Sequence, residues 1–140
     1  MDYRRFGNTI FVRIDKDEEI QDQVRRVCEK EGVTLATVQA LGAIRSFDVG
    51  VFHTDTKRYA SNHFEGAFEI TSLTGTITTK EGEYYAHLHM CAGDETGKVY
   101  GGHLNAAVVS ATCELVLTCI DGKVERVLDE EVGLNLFSFQ

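Results

Sequence analysis

Glu83-Tyr84-Tyr85-Ala86-His87-Leu88-His89-Met90-Cys91 is the run from which the architecture follows. Its residues alternate, as those of a strand do, so Tyr85, His87, His89 and Cys91 share one face and Ala86, Leu88 and Met90 the other. Asp94-Glu95-Thr96-Gly97 then supplies a turn, and Gly101-Gly102-His103-Leu104 opens a second β-rich run that continues to Ile120. The two runs read as an antiparallel pair folded about the turn.

Working outward, the same β pattern recurs. Thr9 to Ile14, Val33 to Phe52 and Ala67 to Thr79 are rich in β-branched and aromatic residues, with Gly42 and Gly50 at expected bends. Lys80-Glu81-Gly82 is a turn. Asp121-Gly122, between Ile120 and Val124, predicts a further hairpin, and Leu134 to Phe139 a last short strand. Asp55 to Glu65 is polar and reads as a loop or irregular edge. One amphipathic helix interrupts the strands. Asp17 is its expected cap, Glu18 and Glu19 suit the positive end of the dipole, and Ile20, Val24, Val27 and Cys28 form one apolar stripe ending at Gly32. One helix, with room for a second short one, and six to eight strands make an α+β (α/β) fold with a mostly antiparallel or mixed sheet, in a single domain over residues 1–140.

Composition narrows the function classes. The chain of 140 residues fits one domain. No apolar run approaches the roughly 20 residues that span a bilayer, and Met1-Asp2-Tyr3-Arg4-Arg5 has no apolar stretch behind it, so a cytoplasmic protein with no membrane partner is expected. Acidic residues outnumber basic ones 22 to 14, giving a net charge of -8, which disfavours nonspecific binding to phosphates. Cys28, Cys91, Cys113 and Cys119 lie in apolar surroundings without a C-x-x-C spacing and read mostly as reduced core residues.

The histidines carry the chemistry. His87 and His89, two residues apart on a strand, have Cα atoms about 6.6 Å apart. Imidazoles so placed can converge on one ion at about 2.1 Å from each nitrogen. A turn centred on Glu95 and Thr96 puts His103 opposite Leu88, within one residue of both, and Gly101-Gly102 allows the adjustment that would aim it at the same point. Three imidazoles with a fourth position open suit a divalent metal, zinc first, with nickel, cobalt or copper as alternatives. Glu69 and Glu114, isolated acids in apolar strands, are candidate additional ligands or general bases. His53 and His63 read as solvated, and Cys91 as packed.

Gly66-Ala67-Phe68-Glu69-Ile70-Thr71-Ser72-Leu73-Thr74-Gly75-Thr76-Ile77, His87-Leu88-His89, Gly101-Gly102-His103-Leu104, Ala111-Thr112-Cys113-Glu114 and Val127-Leu128-Asp129-Glu130-Glu131-Val132-Gly133-Leu134-Asn135-Leu136, in that order, resemble the PPC (plants and prokaryotes conserved) domain over nearly the whole chain. The resemblance implies a largely antiparallel central sheet with a flanking helix, a homotrimer, and a metal, usually zinc, associated with His87, His89 and His103 near a subunit interface. It also implies a stand-alone prokaryotic member, a class commonly labelled DNA-binding. Plant members carry AT-hooks, which need proline; this chain has none, and Ala67 stands where the plant interaction motif has arginine. The leading expectation is therefore a trimeric metal-binding module for a small molecule or protein partner. The alternatives are a DNA-binding or transcription-associated protein, and a metal-dependent enzyme of unknown substrate with no catalytic residue assigned.

Overall fold

The computed structural model describes residues 1–139. Eight strands and one helix follow in the order β1 (Asp2–Phe6), β2 (Thr9–Asp15), α1 (Ile20–Glu31), β3 (Ala36–His53), β4 (Arg58–Lys80), β5 (Glu83–Gly93), β6 (Val99–Cys119), β7 (Glu125–Asp129) and β8 (Leu134–Ser138). The fold is sheet-dominated and the helix is a minor part of it. Among the described residues there is no second helix.

The four long strands close on themselves. β3 pairs with β4 and β6, and β5 pairs with the same two, so the hydrogen bonds run round a ring. Every pairing in the sheet is antiparallel except the contact of β4 with β7 at Thr79 and Glu125. β1 and β2 form a hairpin that adds to the C-terminal half of β6. The ring buries Ile44, Phe47 and Val49 of β3 with Leu88, Met90 and Ala92 of β5. Helix α1 lies on β6 and β5 and buries the expected stripe of Ile20, Val24, Val27 and Cys28.

Several local expectations are corrected. Glu19, not Asp17, caps α1: its backbone is extended, and its carboxylate accepts the Asp22 N–H at 2.7 Å and the Ala107 N–H at 3.0 Å. Asp17 instead has a positive φ of 70°, donates its own N–H to the Val109 carbonyl and pairs its carboxylate with Arg45. The N-terminal residues, given no element in the sequence, form strand β1. The polar stretch 58–65 is also strand: it pairs with β3 from His53 and Arg58 to Ser46 and Glu65. Its residues are polar because this part of β4 is an edge open to solvent, paired only with β3. Asp121-Gly122 is a bend, not a hairpin. The C-terminal half of β6 has no free edge for a returning strand, since Thr118 pairs with Thr9 on one side and Thr37 on the other. The chain therefore crosses to β4, and β7 pairs with β8 instead.

The cysteines are all unpaired, with Cys28 and Cys113 buried and Cys91 and Cys119 half-buried. Burial pushes the thiols of Cys28 and Cys113 up to about 12, which makes them inert at neutral pH.

Close strand approach is sharpest at Gly75. A Cβ there would strike the His87 carbonyl oxygen and come within 2.8 Å of the Leu88 Cα, both backbone atoms. At Gly93 the nearest heavy atom would be 3.6 Å away, an ordinary contact. Gly75→Ala is expected to lower unfolding stability by about 2–3 kcal/mol, as overpacking does. Gly93→Ala should change it by about 0.5 kcal/mol or less. Urea titrations of both variants check this, and equal midpoints would contradict it.

On this exposed edge His63 sits between two carboxylates, with Nδ1 2.8 Å from Asp48 and Nε2 3.2 Å from Glu65. Hydrogen bonding to Asp48, then to Glu65, raises its pKa above 6.5. A raised imidazole pKa stabilises the folded state below the unfolded value, and that contribution fades as pH rises through the folded value. An NMR titration should place the His63 midpoint above 6.5, and Asp48→Asn should move it down. An unchanged midpoint in the variant would show that the pair is not formed.

Candidate metal centre

Strand β5 carries out the alternation that its sequence prescribes. Leu88, Met90 and Ala92 face the core and are nearly fully buried, while His87 is half-buried and His89 exposed on the opposite face. The turn to β6 is one residue longer than expected: the Asp94 N–H bonds to the Lys98 carbonyl, and Gly93 pairs with Val99. That residue moves the register so that His103 lies opposite His89 rather than Leu88. Cross-strand partners point to the same face, so the shift aims His103 at the other two rings.

His103 also marks the point where β6 changes partner, for it pairs with Gly50 of β3 on its other side. The small residues around it make room. A Cβ on Gly102 would come within 2.7 Å of the Gly50 carbonyl oxygen, and one on Gly101 within 2.6 Å of the Met90 carbonyl oxygen. Glycine at both places lets β6 lie close between its neighbours.

The three rings meet. One nitrogen from each of His87, His89 and His103 falls within 4.8 Å of the others. The Nε2 atoms of His87 and His89 are 3.2 Å apart. Tetrahedral coordination at the usual zinc–nitrogen distance requires ligand atoms about 3.3–3.4 Å apart, so this pair is already spaced for an ion. Burial, then the Arg126 cation, then the other two histidines hold His87 down to about 4. Burial and His89 lower His103 in the same direction. Both rings are therefore neutral near pH 7, the form in which imidazole offers a lone pair to a metal.

The expected acids are elsewhere. Glu69 lies on β4 opposite Gly93 and Ala43, and Glu114 on β6 opposite Arg13 and Leu41. Both are exposed, and neither joins the three histidines. A shared apolar strand context placed them near the site in the sequence reading, but the register carries them away along their strands. His53 and His63 are exposed as expected, and Cys91 stands beside Gly101 outside the ligand group.

Two neighbours of the site were not foreseen. Arg126 of β7 is only 6% exposed. Its Nε donates to Thr78 Oγ1 at 2.9 Å, Nη1 to the Asn135 carbonyl at 2.9 Å, and Nη2 to Thr76 Oγ1 at 3.3 Å. Tyr85 and Phe137 cover its guanidinium at 4.8 and 4.5 Å from their ring centroids. Thr76 pairs directly with His87, so the cation lies beside the site. The signal available in the sequence was a lone arginine next to Val127 and Leu128, and it named no partner. Tyr59 stands edge-on to His103, with its hydroxyl donating to Asn105 Oδ1 at 2.5 Å. It comes from the stretch read as a loop.

Among solved structures, eleven chains match. A candidate DNA-binding protein from Bacteroides thetaiotaomicron is 28% identical, with a TM-score of 0.96, covering 99% of this chain and 96% of that one. A metal-containing protein from Archaeoglobus fulgidus is 31% identical, with a TM-score of 0.88 and 99% coverage of both chains. A plant- and prokaryote-conserved protein from Pyrococcus horikoshii is 29% identical, with a TM-score of 0.86, covering 99% of this chain and 94% of that one. No curated protein matches. The model of the Plants and Prokaryotes Conserved (PCC) domain, the PPC domain of the sequence reading, matches residues 1–121, and the chain belongs to that family.

Proposed function

We propose that this chain is a trimeric metal-binding module that holds one divalent ion, zinc first, on His87, His89 and His103 and presents it to a small ligand or a protein partner. The observation that carries the reading is the meeting of three imidazole nitrogens within 4.8 Å on one face of the sheet. The metal-containing relative from Archaeoglobus fulgidus supports it. A divalent ion on three neutral imidazoles keeps a position for a further ligand and acts there as a Lewis acid.

The surface beside the site suits an assembly. A broad groove lined by Phe11, Val116, Gln39 and Thr74 follows one hydrogen-bonded row across the sheet, and the next residue in that row is His89. Phe11 and Leu41 in the groove are more than half exposed, as are Val127 and Leu128 on the C-terminal hairpin. Exposed apolar side chains of this size favour contact with another chain.

DNA binding is the second reading, favoured by the description of the Bacteroides thetaiotaomicron relative. The net charge of -8 weighs against it. An enzymatic reading has less support, because Glu69 and Glu114, the general bases it called for, lie outside the histidine group.

Protein purified without a histidine tag should contain about one metal ion per chain by mass spectrometry. His89→Ala should weaken zinc affinity by more than about 100-fold, since losing a ligand costs more than losing its outer-shell support. Wild-type metal content in that variant would refute the site. Light scattering should give three chain masses, and a monomer at micromolar concentration would refute the trimer. Duplex DNA should show no retention from 50 to 200 mM salt; binding that weakens steeply over that range would favour the second reading.

A further inference from the structure

We propose that the ligand of this site is a carboxylate, held jointly by the metal and by Arg126. The inference rests on the metal-binding reading and adds the chemical class of what binds.

The charge of the site is the first argument. A divalent ion on three neutral imidazoles keeps its full charge, and the Arg126 guanidinium adds to it. The histidine group contains no carboxylate, and the hydrogen-bond partners of Arg126 are two hydroxyls and a backbone carbonyl. Arg126 makes no ion pair with any described residue, although it is more than nine-tenths buried. Buried charges are ordinarily paired, because an unpaired one loses its hydration without compensation. The protein leaves a cationic site uncompensated in a chain that is strongly acidic overall.

The donor geometry is the second argument. A guanidinium has five N–H groups in one plane. Three are engaged, by Thr78, Asn135 and Thr76, which leaves one on each terminal nitrogen. The two faces are closed by Tyr85 and Phe137. Any further partner must approach in the plane of the fork, where a planar two-oxygen group fits and a bulky or neutral one gains less. Tyr85 and Thr76 lie on the same sheet face as His87, so Arg126 packs on the face that carries the histidines. Backbone hydrogen bonds alone could have fixed the β7–β8 hairpin at this place, and a charged anchor costs desolvation that an apolar one would not.

The test uses full-length, untagged protein loaded with Co²⁺, whose visible absorption reports the coordination shell. Acetate, its neutral analogue acetamide, and inorganic phosphate are titrated separately. Acetate is expected to saturate a spectral change that acetamide does not produce at the same concentrations. Arg126→Met should raise the acetate dissociation constant at least tenfold while binding cobalt in the wild-type ratio, and Arg126→Lys, which keeps the charge without the fork, should fall between. Acetate binding equal in Arg126→Met and wild type overturns the proposal, as does acetamide binding equal to acetate or phosphate binding more than tenfold tighter. Circular dichroism checks that the variants fold; if neither does, the acetate and acetamide comparison on wild type decides. Failure of the wild-type protein to take up cobalt is a different result, and overturns the metal-binding reading itself.

Discussion

The pairing of β6 with two different neighbours on its two edges is the constraint on which the rest of the molecule depends. At His103 the strand touches β5 through His89 and β3 through Gly50. That double pairing closes the ring, and a closed ring leaves its four long strands few ways to slide. A one-residue slip of β6 against β5 would turn His103 to the core face and Leu104 outward. The hydrophobic pattern that keeps Leu88, Met90 and Leu104 buried is thus the same pattern that holds three imidazoles on one side. Site geometry and core packing are one specification, not two.

Much of this was legible in the sequence, and the parts that were not share a cause. Alternation, turn residues and the apolar stripe of α1 are local signals, and each located its element. His87 and His89 were fixed as a pair by spacing alone. His103 needed the register across a turn whose length depends on the Asp94–Lys98 hydrogen bond, and no local signal counts that residue. Glu69 and Glu114 failed for the same reason: their position relative to the histidines depends on how far each strand extends past its neighbour. Asp121-Gly122 is a good hairpin signal placed where no edge was free, so topology overrode local turn chemistry. Arg126 was invisible because its partners, Thr76, Thr78 and Asn135, come from two other strands.

The electrostatics of the molecule separate into two scales. Over the whole surface acids dominate, and the field at a distance repels polyanions. At the histidine face a buried guanidinium lies close by, and burial together with that cation keeps His87 neutral. An extended phosphate backbone would meet the general field, whereas a small anion reaching the face would meet the local one.

The same local chemistry bears on binding against turnover. Hydrolysis at a metal centre ordinarily needs a group to accept a proton from the attacking water, within hydrogen-bond reach of it. Among the described residues the candidate metal-ligating group is made of the three histidines alone, and an imidazole whose lone pair were given to a metal could not also serve as the base. Tyr59, beside His103, has its hydroxyl proton directed to Asn105. With that proton engaged, the phenol oxygen has only acceptor capacity left for a further partner. Three imidazoles and one buried cation, with no carboxylate in the histidine group, make a face whose charge suits an anion better than a cation.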